Sequence, residues 1–315
     1  MSMTLCYASD VHGSEVLWKK FVNAGRYYEA QVLVMGGDIT GKGVVPIVDT
    51  GHGVRVEEIT GRRLLDDDEV PAVEKRVRDI GFYPYRIAED DLAAVYASDE
   101  AVERVFSRVM RDTLAGWLAL AEERLAGTGI RLYVMIGNDD DVSLRDVLAA
   151  SPAVIDPEDV VVDVGEGFSM YSCGWANPTP WNTPREMPED EFERHLEAHL
   201  EGLVDPSRAI FNFHAPPYGT ALDQAPQLDD TLKPVVSGGT LTMTSVGSKA
   251  VRAVIERHQP ALTLHGHIHE SRGIARLGRT ICINTGSEYA EGVLHGAIVV
   301  LDRKRGVRSH TMASG

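Results

Sequence analysis

Apolar residues occur along this chain in short runs, each ending at a small polar cluster. Leu5 to Ala8, Val32 to Met35, Leu132 to Ile136, Ala209 to Phe213 and Ala261 to Leu264 are the clearest. Runs this short, bounded by Gly or polar residues, predict buried strands. Between them the pattern changes to a helical period. Residues 14–25 predict a helix with Ser14 as cap and Gly25 at its end. Over 99–126, apolar residues from Val102 through Phe106, Met110, Leu114 and Trp117 to Leu125 recur in helical steps, and Gly127 and Gly129 close the segment. Strands at 3–9, 31–36 and 130–136 alternating with these helices predict an α/β protein.

Residues 41–98 interrupt that alternation. Val44 to Val48 and Val54 to Ile59 read as short strands around the tip Gly51-His52-Gly53, followed by a helix from Pro71 to Ile80. The segment reads as an insertion, a cap or lid, in a single domain spanning 1–315, and His52 is a candidate to face a site. Beyond it the pattern predicts a helix at 143–150, strands near 160–164 and 168–173, and a polar helix at 189–202. A strand at 209–213 is followed by a long loop, 215–245. Helix 248–258, strand 261–265 and hairpin-like strands at 273–277, 280–284, 295–301 and 306–310 complete it.

The polar clusters that end the runs carry the chemistry. They are Asp10-Val11-His12, Gly36-Gly37-Asp38, Gly137-Asn138-Asp139, His214 in Phe213-His214-Ala215-Pro216, and Gly266-His267-Ile268-His269. Ligands in α/β sheets bind beyond the carboxyl ends of the strands, so these clusters describe one site. Carboxylates, imidazoles and one carboxamide form a mixed O/N donor set. It suits Mn, Fe or Zn better than Ca. Seven side chains, Asp10, His12, Asp38, Asn138, His214, His267 and His269, are too many for one ion and suit two. In an extended chain, the first and third residues of Asp-x-His and His-x-His point to the same side.

The five motifs, in this order and spacing, resemble those of the calcineurin-like metallophosphoesterase superfamily: D-x-H, G-D, G-N-H/D, a lone His, and G-H-x-H. The likeness runs from Asp10 to His269, most of the chain. Asn284-Thr285-Gly286-Ser287 is similar to the Asn-Pro-Gly-Ser turn that often follows. The resemblance implies a four-layer α/β/β/α sandwich and a dimetal phosphoester hydrolase. It implies that Asp10, His12 and His269 hold one metal, that Asn138, His214 and His267 hold the other, and that Asp38 bridges them. A bridging hydroxide would then attack phosphorus in line. Many members carry His directly after Gly-Asn, where Asp139 stands here. Asp139 and His214 are the catalytic candidates, and Asp139 serves as an acid only if its pKa is raised.

The favoured expectation is a phosphodiesterase acting on a small soluble ester, possibly a nucleotide. An ionised Asp139 would repel the extra charge of a monoester. The alternatives are a phosphomonoesterase or nucleotide pyrophosphatase and, from another class, a non-catalytic scaffold with this fold. A scaffold predicts eroded ligands, and all seven are present.

Composition narrows the partners. A net charge of −16 argues against nucleic acid. The basic group Arg62, Arg63, Lys75, Arg76 and Arg78, beside Asp66 to Glu69, reads as a solvated face. No apolar stretch approaches the ~20 residues that span a bilayer, so no membrane partner is expected. Cys6, Cys173 and Cys282 read as reduced core residues, and the expected location is cytoplasmic. Two further patterns are weak: His195 with His199 as a metal pair on an exposed helix, and Gly238-Gly239 or Gly247-Ser248 as phosphate-binding turns.

Overall fold

The computed structural model describes residues 2–61, 63–200 and 202–315, without the side chains of Glu58 and Thr60. Arg62 of the basic group therefore lies outside the described residues, as does position 201 of the expected helix 189–202. Two six-stranded sheets form the centre. The first runs in the order Gly306–Ser314, His295–Asp302, Ser2–Ala8, Val32–Gly36, Arg131–Met135, Val154–Ile155. Its last four strands are parallel and the first two antiparallel. The second runs Gly273–Leu277, Thr280–Asn284, Leu262–His265, Ala209–Phe213, Phe168–Cys173, Val161–Gly165. Its middle four are parallel and its edges antiparallel.

The period-two alternation of each strand builds the layers. Met3, Leu5 and Tyr7 turn inward and meet Ile210, Leu262, Leu264, Ile281 and Ile283 of the other sheet. Cys6 and Ala8 turn outward, onto the side of Leu17, Trp18 and Phe21 and of Met110, Leu114 and Trp117. These belong to helices Glu15–Tyr27 and Asp99–Leu125. Trp18 stacks on Trp117 at 5.4 Å, and its Nε1 donates to the Trp117 carbonyl at 2.9 Å. On the other side Phe211, Phe213 and Tyr171 pack against Phe192 and Leu196, and against Val251, Val254 and Ile255. Those lie on helices Glu189–Ala198 and Lys249–His258. The order helix, sheet, sheet, helix is the four-layer arrangement expected. All three cysteines are free and buried, and burial pushes the Cys6 thiol up to about 12 and Cys282 to about 11. They act as small apolar residues. No helix among the described residues is long and apolar enough to cross a membrane.

The interrupting segment has a sheet and a core of its own. Its strands run in the order Leu64–Leu65, Val54–Arg55, Val44–Asp49, Tyr83–Ala88. Val45, Ile47, Val56, Leu65, Val70 and Val77 form its core, the last two from helix Val70–Asp79. Two details differ from the sequence reading. Residues 57–60 are a helical turn, not strand, and Tyr83–Ala88 is a strand that the pattern did not reveal. Pro84 and Arg86 break up its apolar alternation, and parallel pairing with Val44–Asp49 makes it a strand nonetheless. In the long loop, Gln224–Pro226 pairs with Met243–Ser245, and Val236–Ser237 with Thr240–Leu241. The turn at Gly238-Gly239 therefore closes a hairpin.

Val77→Ala should remove about 2 kcal/mol of packing from the small core alone. Hydrogen exchange should speed up over 44–88 and stay unchanged in Ser2–Ala8 and Leu262–His265. Equal acceleration everywhere would mean that the segment does not open as its own unit.

Candidate metal centre

All seven predicted donors converge where the parallel strands of both sheets end. Asp10 and His12 follow Ser2–Ala8, Asp38 follows Val32–Gly36, and Asn138 follows Arg131–Met135. His214 follows Ala209–Phe213, and His267 and His269 follow Leu262–His265. Two groups form: Asp10, His12 and His269, and Asp38, His214 and His267. In the first, His12 Nε2 lies 3.0 Å from His269 Nε2, which lies 3.4 Å from Asp10 Oδ1. Asp38 reaches both groups. Its Oδ2 is 3.6 Å from His12 Nε2 and its Oδ1 is 3.4 Å from His214 Nε2.

The donor atoms fit divalent ions on independent grounds. His214 Nδ1 donates to the Gly36 carbonyl at 2.8 Å, and its buried Nε2 is left without a hydrogen-bond partner. Asn138 Nδ2 donates to Thr183 Oγ1 at 2.7 Å, and its buried Oδ1 likewise has none. In each case one atom is anchored and the other is aimed, without a hydrogen-bond partner, into the site. Outer partners of metal ligands have this role.

The electrostatics point the same way. Burial would raise the Asp10 carboxyl, but its hydrogen bond to His269 and the charges of His214 and His269 outweigh that and hold it at about 2. For Asp38, too, burial is outweighed, by His214, His12 and His267, and its pKa falls well below the ordinary value. Against its burial, Asp38 and Asp10 push His214 up to about 9. His12 and His267 are lowered to about 4, chiefly by burial. Two buried carboxylates among imidazoles form a pocket that attracts cations.

The local backbone corrects one expectation. Asp10, His12, Asp38 and His267 have φ of 54°, 39°, 50° and 66°, so neither Asp-x-His nor His-x-His is extended. The ligands lie on left-handed turns just beyond the strands, a conformation that costs non-glycine residues energy and recurs at functional sites. Loop-to-loop bonds hold it. Asp10 N–H donates to Gly37 O and His12 N–H to Asp38 O, each at 3.0 Å. His267 N–H donates to Asp10 Oδ1 at 3.0 Å and Asp139 N–H to Asp38 Oδ1 at 3.1 Å. A Cβ on Gly137 would overlap the Asp38 carboxylate, so only glycine fits there.

Several residues support the ligand loops from outside the donor motifs. Asp140 accepts from Ile39 N–H at 3.0 Å, Thr40 N–H at 2.9 Å and Gly137 N–H at 2.7 Å, tying the second and third loops together. Arg185 donates to the Ile136 and Gly137 carbonyls at 2.9 Å and forms a buried ion pair with Glu158. Asn284 donates to the Ile268 carbonyl at 3.0 Å, and Ser287 Oγ to the Asp10 carbonyl at 2.7 Å, so the Asn-Thr-Gly-Ser turn braces the ligand loops. The Tyr289 ring lies 4.8 Å from that of His12. Apart from that turn, no short pattern in the sequence marks these residues as supports.

Lys42 changes the reading of Asp139. Its ammonium forms an ion pair with Asp139, whose Oδ2 is 3.9 Å from His12 Nδ1. Burial would lower the lysine, but the hydrogen bond and charge of Asp139 raise it. An uncompensated negative charge at 139, the basis for expecting monoesters to be repelled, is therefore not what the site presents. The tip 51–53 is corrected as well. The segment meets the site at Gly81, where a Cβ would overlap the His12 carbonyl. Val44–Asp49 and Tyr83–Ala88 run parallel away from that end. The exposed His52 lies beyond them, about 16 Å on at ~3.3 Å per residue. Gly247-Ser248 is no phosphate turn either, since Glu189 already accepts from Lys249 N–H at 2.9 Å and Ala250 N–H at 2.8 Å. Arg63, Lys75 and Arg78 pair with Glu69, Asp79 and Glu15 and form no free basic stripe.

No protein-family model matches the chain. An uncharacterized protein of Methanocaldococcus jannaschii is 33% identical over 150 residues, 47% of this chain and 60% of that protein. Among solved structures, the Thermus thermophilus protein TT1561 superposes with a TM-score of 0.53 at 13% identity, over 100% of this chain and 99% of that one. The chain shares the fold of that protein. An archaeal phosphodiesterase superposes more loosely, with a TM-score of 0.35 at 11% identity, over 99% of this chain and 100% of that one.

Two variants test the arrangement by metal analysis after dialysis. Asp38→Asn removes the charge shared by both groups and should leave less than one equivalent of metal at this centre, against two in the parent's. Thr183→Val frees the Asn138 amide to rotate and should weaken one of the two ions roughly 10–100-fold. Full retention of both ions by either variant would contradict the assigned role.

Proposed function

We propose that this chain is a dimetal phosphoester hydrolase acting on a small soluble ester, with diesters the preferred class and nucleotides among them. The observation that carries the reading is Asp38, whose two oxygens face His12 and His214 at 3.6 and 3.4 Å. Asp10, His12 and His269 would hold one ion, Asn138, His214 and His267 the other, and Asp38 would bridge them. Two divalent ions so placed polarise a phosphoryl oxygen and supply a nucleophile at neutral pH. The O/N donor set favours Mn, Fe or Zn. Asn138 and His214 contribute through orientation, since Thr183 and the Gly36 carbonyl hold their donor atoms toward the site.

The chain's own residues then bear on specificity. Lys42 sits between Asp139 and a cavity of about 400 Å³ whose lining includes Val44, Pro46, Tyr85, Ile87 and Phe106. The walls belong to the interrupting segment and to helix Asp99–Leu125. A diester's second substituent, apolar or aromatic, has room there, which supports the diester reading and gives residues 41–98 a part in substrate access. Lys42 favours a second reading, a phosphomonoesterase, because its ion pair with Asp139 removes the repulsion of a monoester's added charge. The three unpaired cysteines and the net charge of −16 support a cytoplasmic enzyme with no nucleic-acid partner.

The test is kcat/KM for bis(p-nitrophenyl) phosphate and p-nitrophenyl phosphate with one metal and pH. Diester preference is expected, and a clear monoester preference would favour the second reading. Phe106→Ala should raise KM for the diester several-fold and leave metal content intact. Lys42→Met should lower monoester turnover more than diester turnover, shifting the ratio roughly tenfold, about 1.4 kcal/mol. An unchanged ratio would place Lys42 away from the substrate. Hydrolysis of neither ester by metal-replete protein would favour the scaffold.

A further inference from the structure

We propose that Asp159, His195 and His199 form a second divalent-metal site of the zinc type, separate from the seven-residue centre. His195 and His199 are spaced four apart at the end of helix Glu189–Ala198, so their rings share one face. On the sequence alone they are an exposed pair without a third ligand. The fold supplies one from another element. Asp159 Oδ1 lies 2.9 Å from His195 Nε2, the two rings are 4.5 Å apart, and one donor atom from each of the three residues lies within 4.8 Å of the others. Two imidazoles and a carboxylate, with a water completing four ligands, form a donor set that zinc accepts.

Three features separate this cluster from an ordinary surface ion pair. First, the imidazoles are oriented before any ion arrives. His199 Nδ1 lies 2.8 Å from the His195 carbonyl, and a proton there leaves Nε2 as the lone-pair nitrogen. The Tyr171 ring stacks on His199 at 6.3 Å and 12°, and Trp175 lies 6.4 Å from His195. Second, Asp159 is held at a φ of 60°, which an aspartate adopts at a cost, while its N–H donates to the Ser172 carbonyl at 3.0 Å. The neighbouring Glu158 is fixed by Arg185 and by Gly174 N–H at 3.0 Å. Third, Arg145 makes its ion pairs with Asp156 at 2.7 Å and Glu158 at 3.9 Å and acts on Asp159 through its charge alone, leaving the Asp159 oxygens open to an ion. The side chains of Asp159 and His195 are 23% and 21% exposed, shielded from bulk water yet open to an ion.

The experiment uses the full chain, stripped with a chelator and titrated with Zn²⁺. Bound zinc is counted after desalting for the parent and for the double variant H195Q/H199Q. The double variant should hold one zinc fewer per chain, whatever number the main centre takes, and should keep the parent's diesterase rate within twofold. Equal zinc counts would overturn the proposal. Asp159→Asn guards against misfolding of the double variant, because asparagine tolerates the left-handed backbone and keeps a hydrogen bond to His195. It should weaken this one zinc at least tenfold without changing the circular dichroism spectrum. Unchanged affinity in Asp159→Asn would also overturn the proposal, as would parent binding weaker than micromolar at this site.

Discussion

The centre of this molecule is arranged around the burial of two carboxylates, Asp10 and Asp38, in a site without a lysine or arginine among its seven donors. Buried charge of this kind is costly unless it is paired with cations or tightly hydrogen-bonded. The chain surrounds the carboxylates with four imidazoles and directs backbone N–H groups of His267 and Asp139 onto their oxygens. A site that favours cations so strongly at the edge of two sheets constrains every loop around it. The left-handed turns at Asp10, His12, Asp38 and His267 follow, because a chain that continued extended would carry these side chains past one another.

Holding those turns is the task of residues outside the donor set. Asp140 joins the loops after Val32–Gly36 and Arg131–Met135, and Arg185 fastens the latter from below through two carbonyls and the buried Glu158. Asn284 braces the His267–His269 loop of the other sheet, and Ser287 reaches across to the Asp10 loop of the first. The two sheets meet mainly through apolar side chains, among them Leu5, Leu264 and Ile283. Polar bonds at the strand ends therefore set the distance between ligands, while the apolar core sets the distance between sheets. The Glu158–Asp159 step links these roles: one residue braces the Asn138 loop and the next faces the two helical histidines.

The interrupting segment packs beside a scaffold that already brings the seven side chains together. Gly41, Lys42 and Gly81 bring it against the centre, and with helix Asp99–Leu125 it lines the cavity beside Lys42. Placing Lys42 against Asp139 converts a repulsive surface into a neutral pair.

Much of this was legible in the sequence because the information was local. Short, continuous apolar runs marked strands buried on both faces, and Asp, His and Asn at the run ends marked a common site. The seven donors came together because parallel strands in both sheets present their carboxyl ends on one side. What the sequence left open depended on residues distant in the chain. Lys42 and Asp139 are 97 positions apart, and Asp140 reaches Thr40 across 100. The left-handed turns occur at non-glycine residues, where no local propensity announces them. Tyr83–Ala88 became a strand only through a parallel partner. Asp159 joined His195 across 36 positions, and nothing near either residue indicates the other. Periodicity and strand-end chemistry are properties of neighbours in the chain, whereas charge pairing, strain and the closing of a cavity arise only when the layers are packed.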